Sequence, residues 1–393
     1  MPGSVIVGGA RTPIGRLLGA LSDVPAPVLG GAAIAAAVQR AGLSPDQVDA
    51  VVMGTVVQAG VGPNPSRQAA AAAGVPMSVP ATTVNKLCLS GLHAVAVADL
   101  LVSTGQHDVV VAGGMESMSR APHLLPGARQ GHRYGGVAVK DALDADALVC
   151  AFDGLRMGEA TERYQAGLGI SRQEQDAFAT RSHHLAAEAA RTGRLAEEIV
   201  AVAAPGRSGN VTVRADEGVR PETSAEDLAK MRPAFSPDGT ITAGSSSQLS
   251  DGACALVITS REYANLLGVG PLAEIGAYGT VAGPDPSLLR QPANAVRDAL
   301  RRDGSLQLAD LDLLEINEAF ASVVVQSLRD LEVAPERVNV NGGAIALGHP
   351  VGMTGARLLL SLALELRRRG GGTGAAALCG GGGQGDALLL RVS

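Results

Sequence analysis

Tryptophan is absent from this chain, and four tyrosines and four phenylalanines are its only other aromatic side chains. Proteins that read single-stranded nucleic acid stack bases on aromatic platforms, so that class has almost no raw material here. A basic excess is missing too: 32 Lys and Arg face 38 Asp and Glu, for a formal net charge of −6. General nucleic-acid binders carry the opposite bias. Cysteine occurs only at positions 88, 150, 254 and 379, never as C-x-x-C. That scatter excludes a disulfide scaffold, argues against a zinc ribbon or thioredoxin-like motif, and leaves no metal site expected. No apolar run approaches the ~18 residues of a membrane span. The start, MPGSVIVGGARTPIGR, lacks a basic segment followed by a long apolar one, so no membrane and no export signal is expected. The expectation is a cytoplasmic enzyme in a reducing compartment.

What is abundant is small and apolar. The chain is 46% hydrophobic and carries 51 glycines in 393 residues, a length that suggests two or three units at ~150 residues each. Ser4-Val-Ile-Val-Gly-Gly reads as a buried strand, Leu29 to Gln39 as an alanine-rich helix and Val48 to Met53 as a second strand. Ala69 to Ala73 is helical by composition and is ended by Gly74 and Pro76. Leu89 to Thr104 reads as a helix with Gly105 just past its end. Asp108 to Gly114 is a continuous apolar run, typical of a strand covered on both faces. Such alternation argues for α/β layers.

From about Ser119 to Ala243 the texture changes: charges cluster and clear strands become rare. Ser171 to Arg191 reads as an amphipathic helix, with Ser171 as N-cap and Glu174 closing a capping box. His183 and His184 fall within it and read as a solvated face. Thr192 to Val213 and Pro221 to Met231 read as loop and helix pieces. This stretch is an insertion, and α/β texture returns at Asp251. The last third then echoes the first in order. Gln47 to Gly54 resembles Asp310 to Asn317, Val84-Asn-Lys-Leu-Cys faces Val340-Asn and the later Gly-His-Pro, and Val109 to Gly114 faces Ala375 to Gly380. An internal duplication is the expected origin.

Reactive side chains fall at the turns of this pattern. Cys88 stands at the start of a helix, where backbone amides and the dipole lower a thiol below its free pKa of ~8.5 and can hold an oxyanion; a buried inert cysteine is the other reading. His349, between Gly348 and Pro350 at a strand-to-helix turn, is poorly placed for core packing and well placed to face a cleft. Cys379 opens a glycine run directly after a strand, where exposed amides approach a ligand closely. A nucleotide loop fails there, because no helix and no Gly-Lys-Ser/Thr follows. Asn317 ends an apolar strand and either positions a water or substrate carbonyl or caps a helix beginning near Glu318. In pseudo-symmetric halves the equivalent loops share one side of the molecule. Two thiols and one imidazole then supply a nucleophile, its base and a second acid/base, as acyl transfer coupled to carbon deprotonation requires.

The motifs Asn85-Lys-Leu-Cys-Leu-Ser-Gly, Gly113-Gly-Met-Glu-Ser-Met-Ser, Met157-Gly-Glu, Thr242-Ala-Gly-Ser, Ser250-Asp-Gly-Ala, Asn317-Glu-Ala-Phe, Val338-Asn-Val-Asn-Gly-Gly-Ala-Ile-Ala-Leu-Gly-His-Pro and Cys379-Gly-Gly-Gly-Gly span the chain. Together and in this order they resemble the thiolase family, in its acetyl-CoA acetyltransferase branch. The resemblance implies a five-layered α-β-α-β-α core from two duplicated halves with an inserted loop domain. The corresponding division is 1–118 plus 244–269, 119–243, and 270–393. It implies Cys88 as the nucleophile that becomes an acyl-thioester, His349 as its base and later an oxyanion donor, and Cys379 as acid/base at the α-carbon. Asn317 would hold a water at one oxyanion site, and the amides of Cys88 and Gly381 would form the other.

By the same resemblance Arg220 is a candidate for the nucleotide end of coenzyme A, with Met157, Ser247, Ala319 and Phe320 along the pantetheine. No cofactor is bound permanently, and acetyl-CoA, acetoacetyl-CoA and CoA are the implied partners of a homotetrameric enzyme of fatty acid metabolism. A 3-ketoacyl-CoA thiolase acting on longer chains in β-oxidation is the alternative, with a ketoacyl synthase-like enzyme and a scaffold that has lost its chemistry behind it. Leu89, Arg156 and Gln384 depart from the family pattern at the pocket, which leaves acyl length open. The region around Arg133 and Tyr134 is the expected place for assembly contacts.

Overall fold

The structure, a computed structural model, describes residues 3–206 and 209–393, so Met1, Pro2, Arg207 and Ser208 lie outside it. The first half contributes strands β1 (Ser4–Arg11), β2 (Ala50–Gly54), β3 (Ala81–Val84), β4 (Val109–Ser117) and β5 (Ser250–Ser260). Its main helices are α1 (Ala26–Arg40), α2 (Pro65–Ala72) and α3 (Ser90–Ser103), and α4 (Arg172–Arg191) lies in the stretch between β4 and β5. The second half contributes β6 (Ala273–Ala282), β7 (Leu313–Ile316), β8 (Gly372–Gly380) and β9 (Gln384–Val392). With them come α5 (Gln291–Asp303), α6 (Ala321–Leu331) and α7 (Thr354–Arg368).

The two halves repeat one pairing pattern. In the first, β1 and β4 run antiparallel to β5, and β2 runs parallel to β4 and β3. In the second, β6 and β8 run antiparallel to β9, and β7 runs parallel to β8, with a parallel bridge from Leu314 to Val338 in the place of β3. Each pair of segments that echo in the sequence thus falls on equivalent elements: β2 with β7, α3 with α7, β4 with β8. The halves join edge to edge where Val5 and Ile6 of β1 pair with Glu274 and Ala273 of β6. The result is one ten-stranded sheet in the order β7-β8-β9-β6-β1-β5-β4-β2-β3, with Gly15–Arg16 beside β5.

Five layers follow from what covers each face. Helices α3 and α7 pack together between the two halves, and one apolar cluster joins Leu92, Val95 and Ala98 to Leu358, Leu362, Leu256 and Leu388. A second cluster buries Leu29, Ala33 and Ala37 of α1 on the outer face of the first half. A third buries Val296 and Val324, from α5 and α6, on the outer face of the second. Strands covered on both sides are mostly apolar, and every residue of β1 is buried, its terminal Ser4 and Arg11 included. The central helices meet through glycine. A Cβ on Gly355 would sit 2.3 Å from Leu92 N, and one on Gly91 would sit 2.8 Å from Gly352 O. This close approach brings the start of α3, with Cys88 before it, against the start of α7, with His349 before it.

Between β4 and β5 the described chain adds no strand to the large sheet. The capping box at Ser171 and Glu174 is present, and α4 buries Phe178, Ala179, His183 and Ala186. Two expectations are corrected here. Val202–Gly206 and Gly209–Val213 are paired antiparallel strands where loop and helix pieces were expected, and among the described residues of that stretch only Arg194–Glu198 is helical. His183 is buried, not solvated, and only His184 is exposed. Tyr134 is fully exposed. Among the described residues no helix is long and apolar enough to cross a membrane.

Candidate active site

The turn Asn85–Leu89 delivers Cys88. Leu87 adopts φ +52, costly for a bulky side chain. The strain is held locally: Asn85 Oδ1 accepts the Leu87 amide at 3.0 Å, and Ser90 Oγ accepts the Lys86 amide at 2.8 Å while donating to Leu87 O at 2.6 Å. The amides of Gly381 and of Cys88 itself donate to the Cys88 thiol and lower its pKa. Burial outweighs them and pushes the thiol up to about 11. The expected activation by the helix start is therefore present but smaller than desolvation, and the resting group is a thiol.

Cys379 is the penultimate residue of β8, opposite Gly385 of β9, and is 1% exposed. Burial, then the nearby Cys88, raise its pKa far above the ordinary range. The two thiols are neighbours from different halves, as the duplication led us to expect. Gly381 follows in the β8–β9 turn.

His349 is buried and follows Gly348, whose φ of +113 favours glycine. Its amide donates to Gln248 O at 3.0 Å. Nδ1 lies 2.7 Å from Thr354 Oγ1, which donates its own proton to Pro350 O at 3.0 Å. A hydroxyl has one proton to give, so Nδ1 carries the ring proton and Nε2 is left unprotonated, able to accept one. Burial, then the charge of Arg357, push the imidazole down to about 3, so it rests neutral. Asn317 follows β7, with Nδ2 3.3 Å from His349 Nε2. Its Oδ1 is buried without a partner, so an acceptor remains for a water or substrate. It does not cap a helix, because α6 begins at Ala321 with Phe320 as N-cap.

Glu116 ties the turns together. Its carboxylate accepts from Thr55 Oγ1, the Val56 and Val57 amides, and the Gly352 amide, between 2.9 and 3.1 Å. Burial raises it to about 7 against those four donors.

A cleft of about 620 Å³ opens beside this centre, with Met157, Arg220, Ser247 and Phe320 in its lining. Ala319 is not in that lining; its carbonyl accepts the Ser247 amide at 3.0 Å. Met157 reaches the inner end, 3.6 Å from where a Cβ on Gly381 would stand. Arg156 lines the cleft and pairs with Asp144 at 2.9 Å. Leu89 is fully buried against Gly380 and does not narrow the cleft. Gln384 starts β9 opposite Gly380. The loop bearing Arg220 is fixed from several sides. Asp216 takes both terminal nitrogens of buried Arg11 at 2.7 and 2.8 Å, while Arg11 Nε reaches Glu198 at 2.6 Å. His183 Nδ1 accepts the Arg220 amide at 3.1 Å, and burial, then Arg220's charge, hold that ring down at about 4. Gln248 Nε2 donates to Gly218 O and Ile345 O at 3.1 and 3.0 Å.

Thr354, Glu116, Gln248 and Arg11 were not singled out by sequence. Thr354 had a nearby signal, a hydroxyl in the first turn of the helix after His349, and Glu116 lies in the Gly113-Gly-Met-Glu motif. Among the described residues no group of three or more His, Cys, Asp or Glu is placed to hold a metal ion.

Residues 4–262 match the pattern of the thiolase N-terminal domain and 269–392 that of the thiolase C-terminal domain. A probable acetyl-CoA acetyltransferase of Mycobacterium leprae is 54% identical over 392 residues, covering 100% of each chain. An acetyl-CoA acetyltransferase of Chromobacterium violaceum is 45% identical over 365 residues, covering 92% of this chain and 93% of its own. The crystal structure of the Bacillus anthracis acetyl-CoA acetyltransferase superposes with a TM-score of 0.96 at 40% identity, covering 100% of this chain and 99% of that one. Family pattern, full-length relatives and backbone agree: the chain belongs to the thiolase family.

Proposed function

We propose that this thiolase interconverts two acetyl-CoA with acetoacetyl-CoA and CoA through a ping-pong acyl-enzyme on Cys88. The observation that carries the reading is the convergence of Cys88, Cys379 and two amides from opposite halves beside a cleft holding Arg220, Ser247 and Met157. In this scheme His349 Nε2 takes the Cys88 proton as sulfur attacks the first thioester, and CoA leaves with a proton from Cys379. The Cys379 thiolate then removes a proton from the α-carbon of the second acetyl-CoA. The enolate oxygen is held by His349 and a water on Asn317. The carbanion attacks the acyl carbon, the Cys88 and Gly381 amides hold that oxyanion, and Cys88 departs, taking its proton back from His349. Thiolysis is the same path reversed. The names of the relatives favour acetyl transfer over longer acyl groups.

Homotetramer assembly and a role in cytoplasmic fatty acid metabolism belong to the same proposal, and light scattering tests the first. The chemistry is tested by CoA-dependent cleavage of acetoacetyl-CoA beside a longer 3-ketoacyl-CoA, in wild type and Cys379→Ser. Short-chain cleavage that collapses in the mutant supports the proposal. Cleavage of the longer substrate alone assigns the β-oxidation alternative, and loss of both with intact folding overturns acyl transfer.

A further inference from the structure

The second oxyanion site has an unusual construction problem. One amide, Cys88 N, belongs to the first half and the other, Gly381 N, to the second, and donors must sit within ~0.5 Å of the productive geometry. The hydrogen bonds at Leu87 and Ser90 that hold the strained turn all close within residues 85–90, so they do not fix the turn against the other half. Lys86 does reach across. Its Nζ lies 2.8 and 3.0 Å from the two oxygens of Asp386, 3.0 Å from Tyr278 Oη and 3.1 Å from Thr280 Oγ1. Three protons thus meet three oxygen-bearing groups. Thr280 Oγ1 donates to Asp386 at 2.7 Å, and His93 Nδ1 from α3 sits 3.2 Å from Tyr278 Oη. The Asp386 side chain is 0% exposed and that of Lys86 20%, so water competes little for the pair.

The location gives the pair its meaning. Lys86 is two residues before Cys88, on the strained side of the turn. Asp386 lies on β9 opposite Leu378, and the next pair along that ladder is Gly385 with Cys379. We propose that the Lys86–Asp386 pair is a positioning clamp that sets the separation of the two thiols and of the two oxyanion amides. Neither residue is in the lining of the cleft. The proposal rests on the acyl-transfer reading above. With the clamp opened, the Cys88 turn is free to relax its Leu87 strain, and a shift of about 1 Å is enough to cost ~10²-fold in rate.

The test compares Lys86→Met, Asp386→Asn, Lys86→Arg and the double variant Lys86→Met/Asp386→Leu. Thiolysis of acetoacetyl-CoA is measured per acylatable Cys88, titrated with acetyl-CoA, beside thermal melting. We expect kcat per acylatable site to fall ~10- to ~100-fold in Lys86→Met and in Asp386→Asn, with KM for CoA within twofold, because the cleft lining is untouched. Lys86→Arg recovers part of the rate. The double variant removes the stranded buried charge and regains melting temperature but stays slow, which separates positioning from stability. If Lys86→Met and the double variant both turn over within twofold of wild type per acylatable site, the clamp is refuted. If wild type cleaves no 3-ketoacyl-CoA, the acyl-transfer reading fails and takes the clamp with it.

Discussion

Replacing Thr354 by valine tests the assignment of the His349 base. The two side chains are nearly isosteric, so the change removes one hydroxyl from a site where Thr354 is 1% and His349 6% exposed. In the native site that hydroxyl accepts the Nδ1 proton and passes its own to Pro350 O. Without it the imidazole has two options. It keeps its proton on Nδ1 as a buried donor without a partner, at a cost of about 1–3 kcal/mol. Otherwise it moves the proton to Nε2, which then cannot take the Cys88 proton. Either way the same 1–3 kcal/mol opposes the transition state, a loss of ~5- to ~150-fold in kcat. The assay is stopped-flow acylation of Cys88 by acetyl-CoA, with steady-state thiolysis beside it. Thr354→Ser, which restores the hydroxyl, should return most of the rate. Valine acylating within twofold of wild type would refute the tautomer assignment and leave His349 without its proposed orientation.

Other expectations follow from the same geometry. Iodoacetamide alkylation of Cys88 in the free enzyme should climb with pH toward about 11, since burial keeps the thiol protonated below that value; a plateau near pH 7 would mean a resting thiolate pair. Arg11→Met strands the buried carboxylates of Glu198 and Asp216 and should cost about 3–5 kcal/mol in chemical denaturation, where a loss under 1 kcal/mol would contradict the buried cluster. Arg220→Ala should raise KM for CoA several-fold with kcat nearly unchanged, and a fall in kcat alone would move Arg220 out of the binding cleft's role. Gly355→Ala forces a Cβ to 2.3 Å from Leu92 N, so it should lower melting temperature and acylation rate together; normal values for both would show that the central helices have slack.

The layers, and Cys88, Cys379 and His349 as candidates, were legible because each signal sits inside one segment: β runs, helix ends, Cys and His at glycine turns. The repeat was legible because equivalent strands keep similar composition. What stayed hidden lies in contacts between distant segments. Glu116 stood inside a quoted motif, but its four donors come from residues 55–57 and 352. Gln248 joins residues 218 and 345, and Lys86 reaches 278, 280 and 386, which no periodicity records. His183 is a different failure. Buried Ala179 and Ala186 flank it at i−4 and i+3, so the helix period placed it inward, while its polarity suggested the opposite. The Arg220 amide, invisible in sequence, reconciles the two. For Cys88 the expectation that backbone amides lower the thiol had the right sign, but burial, known only once the fold exists, is larger.

The β1–β6 seam and the crossing of α3 with α7 also govern when the protein becomes reactive during its synthesis. Cys88, the proposed nucleophile, leaves the ribosome early, yet the proposed base His349, the second thiol Cys379 and the proposed oxyanion amide of Gly381 all lie beyond residue 348. β8 and β9, the last strands made, complete the second half of the sheet. On the proposed mechanism a nascent chain therefore carries Cys88 through most of translation with no means to use it. Closure of the non-local contacts is slow in a fold of this kind, so acylation competence should arrive in one late step rather than grow with chain length.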